Sequence, residues 1–196
     1  MTTTPDQTTT RTSSAGEDED LLTRLVREHR EASALLLGLQ RRTGSEAGDS
    51  VDTARKLIAD LVQHSVGERT HLVPLVREHL PDGDTVAARI EWGSERLERE
   101  MQQLERLPMR GDFWIHLKIV ESLVSQHAGE LEQYVFPRIA AAVPADRLQE
   151  LGHRAARTAR TAPTHPHPNA PREGAALAAA APGAGLVDRV RDMFRT

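Results

Sequence analysis

The sequence predicts an all-α protein built around an up-down-up-down antiparallel four-helix bundle that covers residues 18–143. Apolar residues recur every three or four positions in four long stretches, which is the spacing of an amphipathic helix. Short connectors rich in glycine, proline and aspartate separate these stretches, and short loops make successive helices neighbours. Aromatic residues make up only 3% of the 196 residues, so aliphatic side chains must fill the core.

The first two predicted helices each carry histidine on their apolar stripe. The first helix starts near Asp20, and its stripe passes through Leu25, His29 and Leu36. A loop over 43–50, rich in turn residues, leads to the second helix. The stripe of that helix contains the following residues: Leu57, Leu61, His64, Glu68 and His71. We therefore expect polar, ligand-type side chains inside the bundle.

The third and fourth predicted helices follow two clear turns. Residues 81–84 form the first turn, and the third helix places Ile90, Ser94 and Leu97 in register. Residues 108–111 form the second turn, after which Asp112 can cap the fourth helix. The stripe of the fourth helix contains Phe113, Val120, His127 and Leu131. Pro74 and Pro137 lack a backbone N–H, so we expect them to kink or interrupt the second and fourth helices.

Both ends of the chain differ from the predicted bundle in composition. Residues 1–17 are rich in threonine and serine, which predicts a disordered arm. A short helix is expected over 144–157. Residues 158–185 are rich in alanine and proline, which predicts a disordered linker, and 186–196 form a short amphipathic C-terminal segment.

Composition excludes several classes of function. The 25 basic and 29 acidic residues are interspersed, and without a basic block we expect no nucleic acid partner and no membrane partner. No cysteine is present, so disulfides and thiolate-bound metals are excluded. The sequence shows neither a signal-like leader nor a long apolar run, and we expect a soluble, cytoplasmic protein.

A near-repeat carries the most informative residues. Its first copy, residues 64–74, contains His64, Glu68 and Pro74, and its second copy, residues 127–137, repeats the pattern with His127, Glu132 and Pro137. In both copies the proline stands ten residues after the histidine. Residues four apart share one helical face, so a histidine and a carboxylate can approach one point in the bundle core.

These side chains predict a metal site. His29, His64, Glu68, His127 and Glu132 come from three helices and converge if the helices form a bundle. A single histidine on an apolar stripe is more often a hydrogen-bonded core residue than a ligand. Two buried carboxylates without a cation, however, would be strongly destabilising. Imidazoles combined with carboxylates suit iron, manganese or zinc.

Four short segments resemble the hemerythrin family, specifically the bacterial hemerythrin-like domain known as the HHE cation-binding domain. They are 27–30 (REHR), 63–68 (QHSVGE), 76–83 (VREHLPDG) and 135–138 (VFPR). The resemblance spans about residues 22–142 and implies a four-helix bundle with a non-haem di-iron site. It further implies His29, His64 and His127 as ligands, with Glu68 and Glu132 as bridging carboxylates.

The third helix departs from the family pattern. Ser94 stands where the family usually has a metal-binding histidine. Glu91, Glu98, a water molecule or His71 are the candidate substitutes, and a solvated helix edge is the alternative interpretation of the two glutamates. The resemblance implies iron as the cofactor. Because the third-helix histidine is missing, one or two ions per chain are expected.

The leading functional hypothesis is a protein that binds or senses oxygen, nitric oxide or peroxide at an open coordination position. One alternative is an iron-dependent enzyme that detoxifies peroxide or nitric oxide, although the sequence supplies no further acid or base for turnover. Another alternative is a helical interaction protein with a residual metal site, whose tails bind an unknown protein partner.

Overall fold

The computed structural model describes residues 19–41 and 47–166, except for the side chains of 47–49. This part of the chain is helical and contains no strand, which confirms the prediction of an all-α protein. The elements are α1 (Leu21–Arg41), α2 (Ala47–Gly67), π1 (Glu68–Leu72), α3 (Val73–His79), α4 (Gly83–Arg106), α5 (Asp112–Glu130), π2 (Leu131–Val135), α6 (Phe136–Ala142) and α7 (Ala145–Thr161). Here π1 and π2 are short π-helical segments.

The helices pack side by side as a bundle. Helix α1 packs against α2 and α5, and α4 packs against α3 and α5. Helix α7 covers α1 and α2. In the described residues, no helix combines the length and the apolar character needed to cross a membrane.

Local sequence signals explain where two of these helices begin. The carboxylate of Asp20 accepts a hydrogen bond from the backbone N–H of Leu22 at 2.8 Å, so it caps α1. Helix α4 begins at Gly83, where a Cβ atom would lie 2.3 Å from the carbonyl oxygen of Val76. Only glycine permits this close approach.

The two prolines of the near-repeat do not end their helices; each follows a π-helical segment instead. The backbone N–H of Val73 bonds to the carbonyl oxygen of Glu68, and that of Phe136 bonds to the carbonyl oxygen of Leu131. These are i to i−5 bonds, and each donor immediately precedes a proline. Because proline removes a donor and crowds the preceding turn, the wider π turn lets the helix continue.

The C-terminal part of the described chain differs from the prediction. Helix α7 ends at Thr161, four residues beyond the expected boundary at 157, so 158–161 are helical rather than part of a linker. Ala162 is buried against Val66, and His165 is buried and pairs with Glu105. Gly152 allows α7 to pack closely on the start of α1, because a Cβ there would lie 2.0 Å from the carbonyl oxygen of Glu19.

Three predicted segments lie outside the described residues: the arm 1–17, the linker from residue 167 to 185 and the segment 186–196.

Candidate metal centre

Histidines occupy the level of the bundle that separates two hydrophobic clusters. On α1, His29 follows Leu25 of one cluster and precedes Ala32 of the other. On α5 and π2, His127 stands between Val124 and Leu131 in the same way. The candidate site is therefore a polar layer between two apolar cores, where water has little access.

Four side chains meet in this layer. His29, His64, Glu68 and His127 each offer one ligand atom, and these atoms all lie within 4.8 Å of one another. The ring centroids of His29 and His64 are 4.8 Å apart, and those of His64 and His127 are 6.1 Å apart. Both carboxylate oxygens of Glu68 lie 3.0 Å from Nε2 of His127. The group comes from α1, α2, π1 and α5, as the sequence predicted for these four residues.

Two of the imidazoles are bonded to a carboxylate through Nδ1. Nδ1 of His29 lies 2.8 Å from Oε1 of Glu132, and Nδ1 of His64 lies 2.9 Å from Oε2 of Glu28. A carboxylate can only accept a hydrogen bond here, so each Nδ1 carries the proton. The Nε2 atoms of both histidines are buried and make no hydrogen bond. Nε2 of His64 approaches Glu68 Oε1 at 3.2 Å without hydrogen-bond geometry.

Without an ion, the layer holds strongly perturbed charges. Burial alone would lower the pKa of His64, but the carboxylates of Glu68 and Glu28 outweigh it and raise that pKa to about 10. Burial and the neighbouring His64 lower the pKa of His29 to about 4. Burial acts to raise the pKa of Glu68, yet His127 and His64 hold it well below its usual range. Without an ion, protonated His64 thus supplies positive charge beside the buried carboxylate of Glu68.

The structure places Glu132 outside this group of ligand atoms. Its carboxylate bonds to His29 instead, and its side chain is 34% exposed, whereas that of Glu68 is fully buried. Glu68 follows His64 by four residues of α-helix and so shares its face. Glu132 follows His127 by five residues, and π2 begins only at Leu131, so the step rotates Glu132 away from the cluster. The structure therefore places Glu132 beside His29 and outside the group of four ligand-type atoms, and its ligation of a metal stays a prediction.

The three candidate substitutes for the missing third-helix histidine also lie away from the cluster. Nε2 of His71 shares a hydrogen bond with the hydroxyl of Thr158 at 2.9 Å. Glu91 accepts hydrogen bonds from Arg77 at 2.9 Å. Glu98 is buried and forms an ion pair with Arg69. None of the three belongs to the group of four clustered residues. Glu98 is buried, whereas Glu91 lies at a partly exposed edge of α4.

Ser94 occupies the buried position on α4 at which the family resemblance predicted a histidine. It is nearly fully buried, and its Oγ makes no hydrogen bond. The preceding Gly93 is close to the cluster, because a Cβ there would lie 3.6 Å from Nδ1 of His127. Helix α4 therefore passes the cluster without supplying an imidazole to it.

Sequence reasoning missed two neighbours of the site. Glu28 lies beside His29 in the chain but bonds to His64, and it also forms an ion pair with Arg24 at 2.9 Å. The ring of Phe136 stacks on that of His29, with centroids 6.1 Å apart and planes 3° apart. The REHR segment could have signalled Glu28, since a carboxylate next to a buried histidine lies at the edge of the same helical face.

These residues fit a metal ion. Imidazole nitrogens and one carboxylate form a donor set that suits iron, manganese and zinc. Nδ1–H groups bonded to carboxylates fix the ring orientation that leaves Nε2 free to bind a metal, as is common in metal sites. Without an ion, the buried Nε2 of His29 makes no hydrogen bond, which is unfavourable.

The chain was compared with protein-family models, curated proteins and solved structures, and none of these comparisons finds a match.

Proposed function

We propose that this protein is a hemerythrin-like, up-down-up-down four-helix bundle that binds non-haem iron through His29, His64, Glu68 and His127. The observation that carries the proposal is that four ligand atoms lie within 4.8 Å of one another, while Nδ1 of His29 and Nδ1 of His64 are each bonded to a carboxylate. An ion bound there would replace the proton that pairs Nε2 of His64 with Glu68, and would give the buried Nε2 of His29 a partner.

We propose one ion per chain. The residues that could serve a second position are engaged elsewhere, since Glu91 bonds to Arg77, Glu98 to Arg69 and Glu132 to His29. Ser94 on α4 is a weak donor for a metal compared with an imidazole. The choice of iron among the metals that suit this donor set follows the resemblance of the four sequence segments.

The proposed activity is reversible binding, or sensing, of oxygen, nitric oxide or peroxide. Iron held by four protein ligands would supply open coordination positions for a small molecule. The protein contributes orientation and shielding: Glu28 and Glu132 fix the rings of His64 and His29, and Phe136 covers one face of His29. The two apolar clusters on either side of the layer limit the access of water.

Metal analysis of protein purified without chelators tests the proposal. We expect about one iron per chain, and a melting temperature that rises when iron(II) is added to the metal-free protein. His64→Ala should abolish both results. His116→Ala is the matched control, because His116 pairs with Glu100 at 2.8 Å and is not part of the cluster. Absence of bound metal, or equal binding by both variants, would contradict the proposal.

A further inference from the structure

A cavity of about 120 Å³ lies beside the cluster, between α1 and α2. We call it the α1–α2 cavity. Three of the four ligand residues line it, namely His29, His64 and His127. A second cavity of about the same volume lies between α4 and α5, but only His127 of the cluster lines that one. The more open side of the site therefore faces α1 and α2.

The walls of the α1–α2 cavity change from apolar to charged. Its buried lining residues, apart from the histidines, are Ala32, Leu61, Leu97 and Val124. Ala32 follows His29 by three residues and so lies one turn away on the same face of α1. Alanine is the smallest side chain in this wall. Space for a ligand beside His29 therefore depends on the absence of a longer side chain at position 32.

Charged residues line the outer part of the α1–α2 cavity, and their charges are paired. Arg24 bonds to Glu28 at 2.9 Å, and Arg27 bonds to Glu31 at 2.8 Å. Asp60, which also lines the cavity, pairs with Lys56 at 2.7 Å. The arginines of the lining are thus neutralised by neighbouring acids. Such a surface provides no net attraction for anions.

We infer that the α1–α2 cavity is the ligand pocket of the metal centre, that it takes an uncharged molecule of roughly two to four non-hydrogen atoms, and that Ala32 sets its size limit. The inference rests on the proposed function, since it assigns a ligand pocket to that site. It predicts that ligands reach the site past α1 rather than between α4 and α5.

Two matched substitutions test which cavity the ligand uses. Ala32→Val adds two carbon atoms to the α1–α2 cavity. Gly93→Ala adds one carbon to the α4–α5 cavity, and this carbon would lie in ordinary contact with His127 at 3.6 Å. With iron(II)-loaded protein and nitric oxide as the probe, we expect at least a tenfold higher Kd for Ala32→Val and a change within about twofold for Gly93→Ala.

A second measurement does not depend on the binding of nitric oxide. In manganese(II)-loaded protein, water-proton relaxation reports how readily solvent exchanges at the ion. We expect slower exchange in Ala32→Val and in the larger Ala32→Leu, and no change in Gly93→Ala. Metal content and thermal melting of each variant show whether the site and the fold are intact.

The charge of the preferred ligand has its own test. Glu31→Lys reverses an exposed charge at the rim of the α1–α2 cavity. At low salt it should raise the association rate of azide several-fold and leave that of nitric oxide unchanged.

The outcomes separate the two proposals. If wild-type protein binds no metal, the proposed function fails and the ligand pocket with it. If metal-loaded protein binds nitric oxide but Ala32→Val binds it as tightly as wild type, or if Gly93→Ala has the larger effect, only the ligand pocket is overturned. An unchanged azide rate in Glu31→Lys would overturn entry past this rim, and wild-type protein that binds azide more tightly than nitric oxide would overturn the assignment of an uncharged ligand.

Discussion

The two copies of the near-repeat have the same backbone but different roles. In each copy a histidine is followed by a π-helical segment that contains the carboxylate and then by a proline, and the residue before the proline donates an i to i−5 hydrogen bond. Glu68 of the first copy is buried among the histidines, whereas Glu132 of the second copy bonds to the outer nitrogen of His29. One additional residue between histidine and carboxylate places Glu132 beside His29 instead of among the four clustered ligand-type atoms.

The largest expected difference between the copies is in metal affinity. Glu68→Ala should weaken binding by more than roughly 100-fold, because it removes a ligand and the negative charge that attracts the cation. Glu132→Ala should weaken binding only about 10- to 100-fold, the range typical of a residue that orients a histidine ligand. Competition titration with cobalt(II) measures both.

Glu130→Ala is the control for these titrations, because Glu130 pairs with Arg89 and lies outside the cluster. Equal losses of affinity for Glu68→Ala and Glu132→Ala would mean that both carboxylates bind the ion, as the family resemblance implied.

The next largest expected effect is the release of protons when the metal binds, which makes metal affinity depend on pH. The pKa of His64 in the first copy is about 10, so this imidazole must lose a proton when it binds a metal at neutral pH. His29, which bonds to Glu132 of the second copy, has a pKa of about 4 and is already neutral. We therefore expect about one proton released per ion, and an affinity that rises about tenfold per unit between roughly pH 6.5 and 8. Calorimetry in two buffers of different ionisation enthalpy counts the protons, and an affinity independent of pH would exclude this charge state of His64.

The smallest expected difference between the copies is in how stability depends on pH, and it comes from the seventh residue after each histidine. This residue is His71 in the first copy, bonded to Thr158, and Tyr134 in the second copy, which is 65% exposed. Burial and the nearby Arg154 and Arg157 lower the pKa of His71 to about 4 from an ordinary value of 6.5. A lowered folded-state pKa means that the unfolded chain binds the proton more tightly, so stability is lost as the pH falls from about 6.5 towards 4.

His71→Gln should remove this loss and leave metal affinity unchanged. Between pH 7 and 4.5 the wild-type protein should lose on the order of 2 kcal/mol more unfolding free energy than the variant. Urea unfolding of the metal-free proteins measures the difference. Tyr134→Ala should follow the wild-type pH dependence, and parallel pH profiles for wild type and His71→Gln would show that His71 does not titrate in this range.

Much of the fold and part of the site follow from the sequence for identifiable reasons. The stripes that contain His29, His64 and His127 have a clear helical period, so they predicted both the helices and the side chains that meet inside. The five-residue step from His127 to Glu132 is visible in the sequence and differs from the i, i+4 step of His64 and Glu68, but the step alone does not show that Glu132 bonds to His29. The π segments did not follow either, because helical patterns assume α geometry and do not reveal a wider turn.

Other differences arise from tertiary contacts that composition does not encode. Glu28 lies off the apolar stripe, and only the packing of α1 against α2 brings it to His64. Residues 158–166 have the composition of a linker, yet Ala162 packs against Val66 and His165 pairs with Glu105. Small and weakly apolar residues can be buried when a neighbouring helix offers a matching surface.

The π segments also determine where the loss of one residue would change the direction in which the side chains of the bundle point. A π turn holds one residue more than the α turn that it replaces, so it resembles an insertion that the helix has absorbed. Deleting one codon within π1 would remove that additional residue, so α2 and α3 would keep nearly the same faces towards the interior. It would also place Pro74 in a regular α turn, where the missing donor and the crowded carbonyl disfavour a continuous helix. A one-codon deletion in α2 between Leu57 and His64 would instead rotate the two parts of that helix by about 100°, so these two residues could no longer both face the interior.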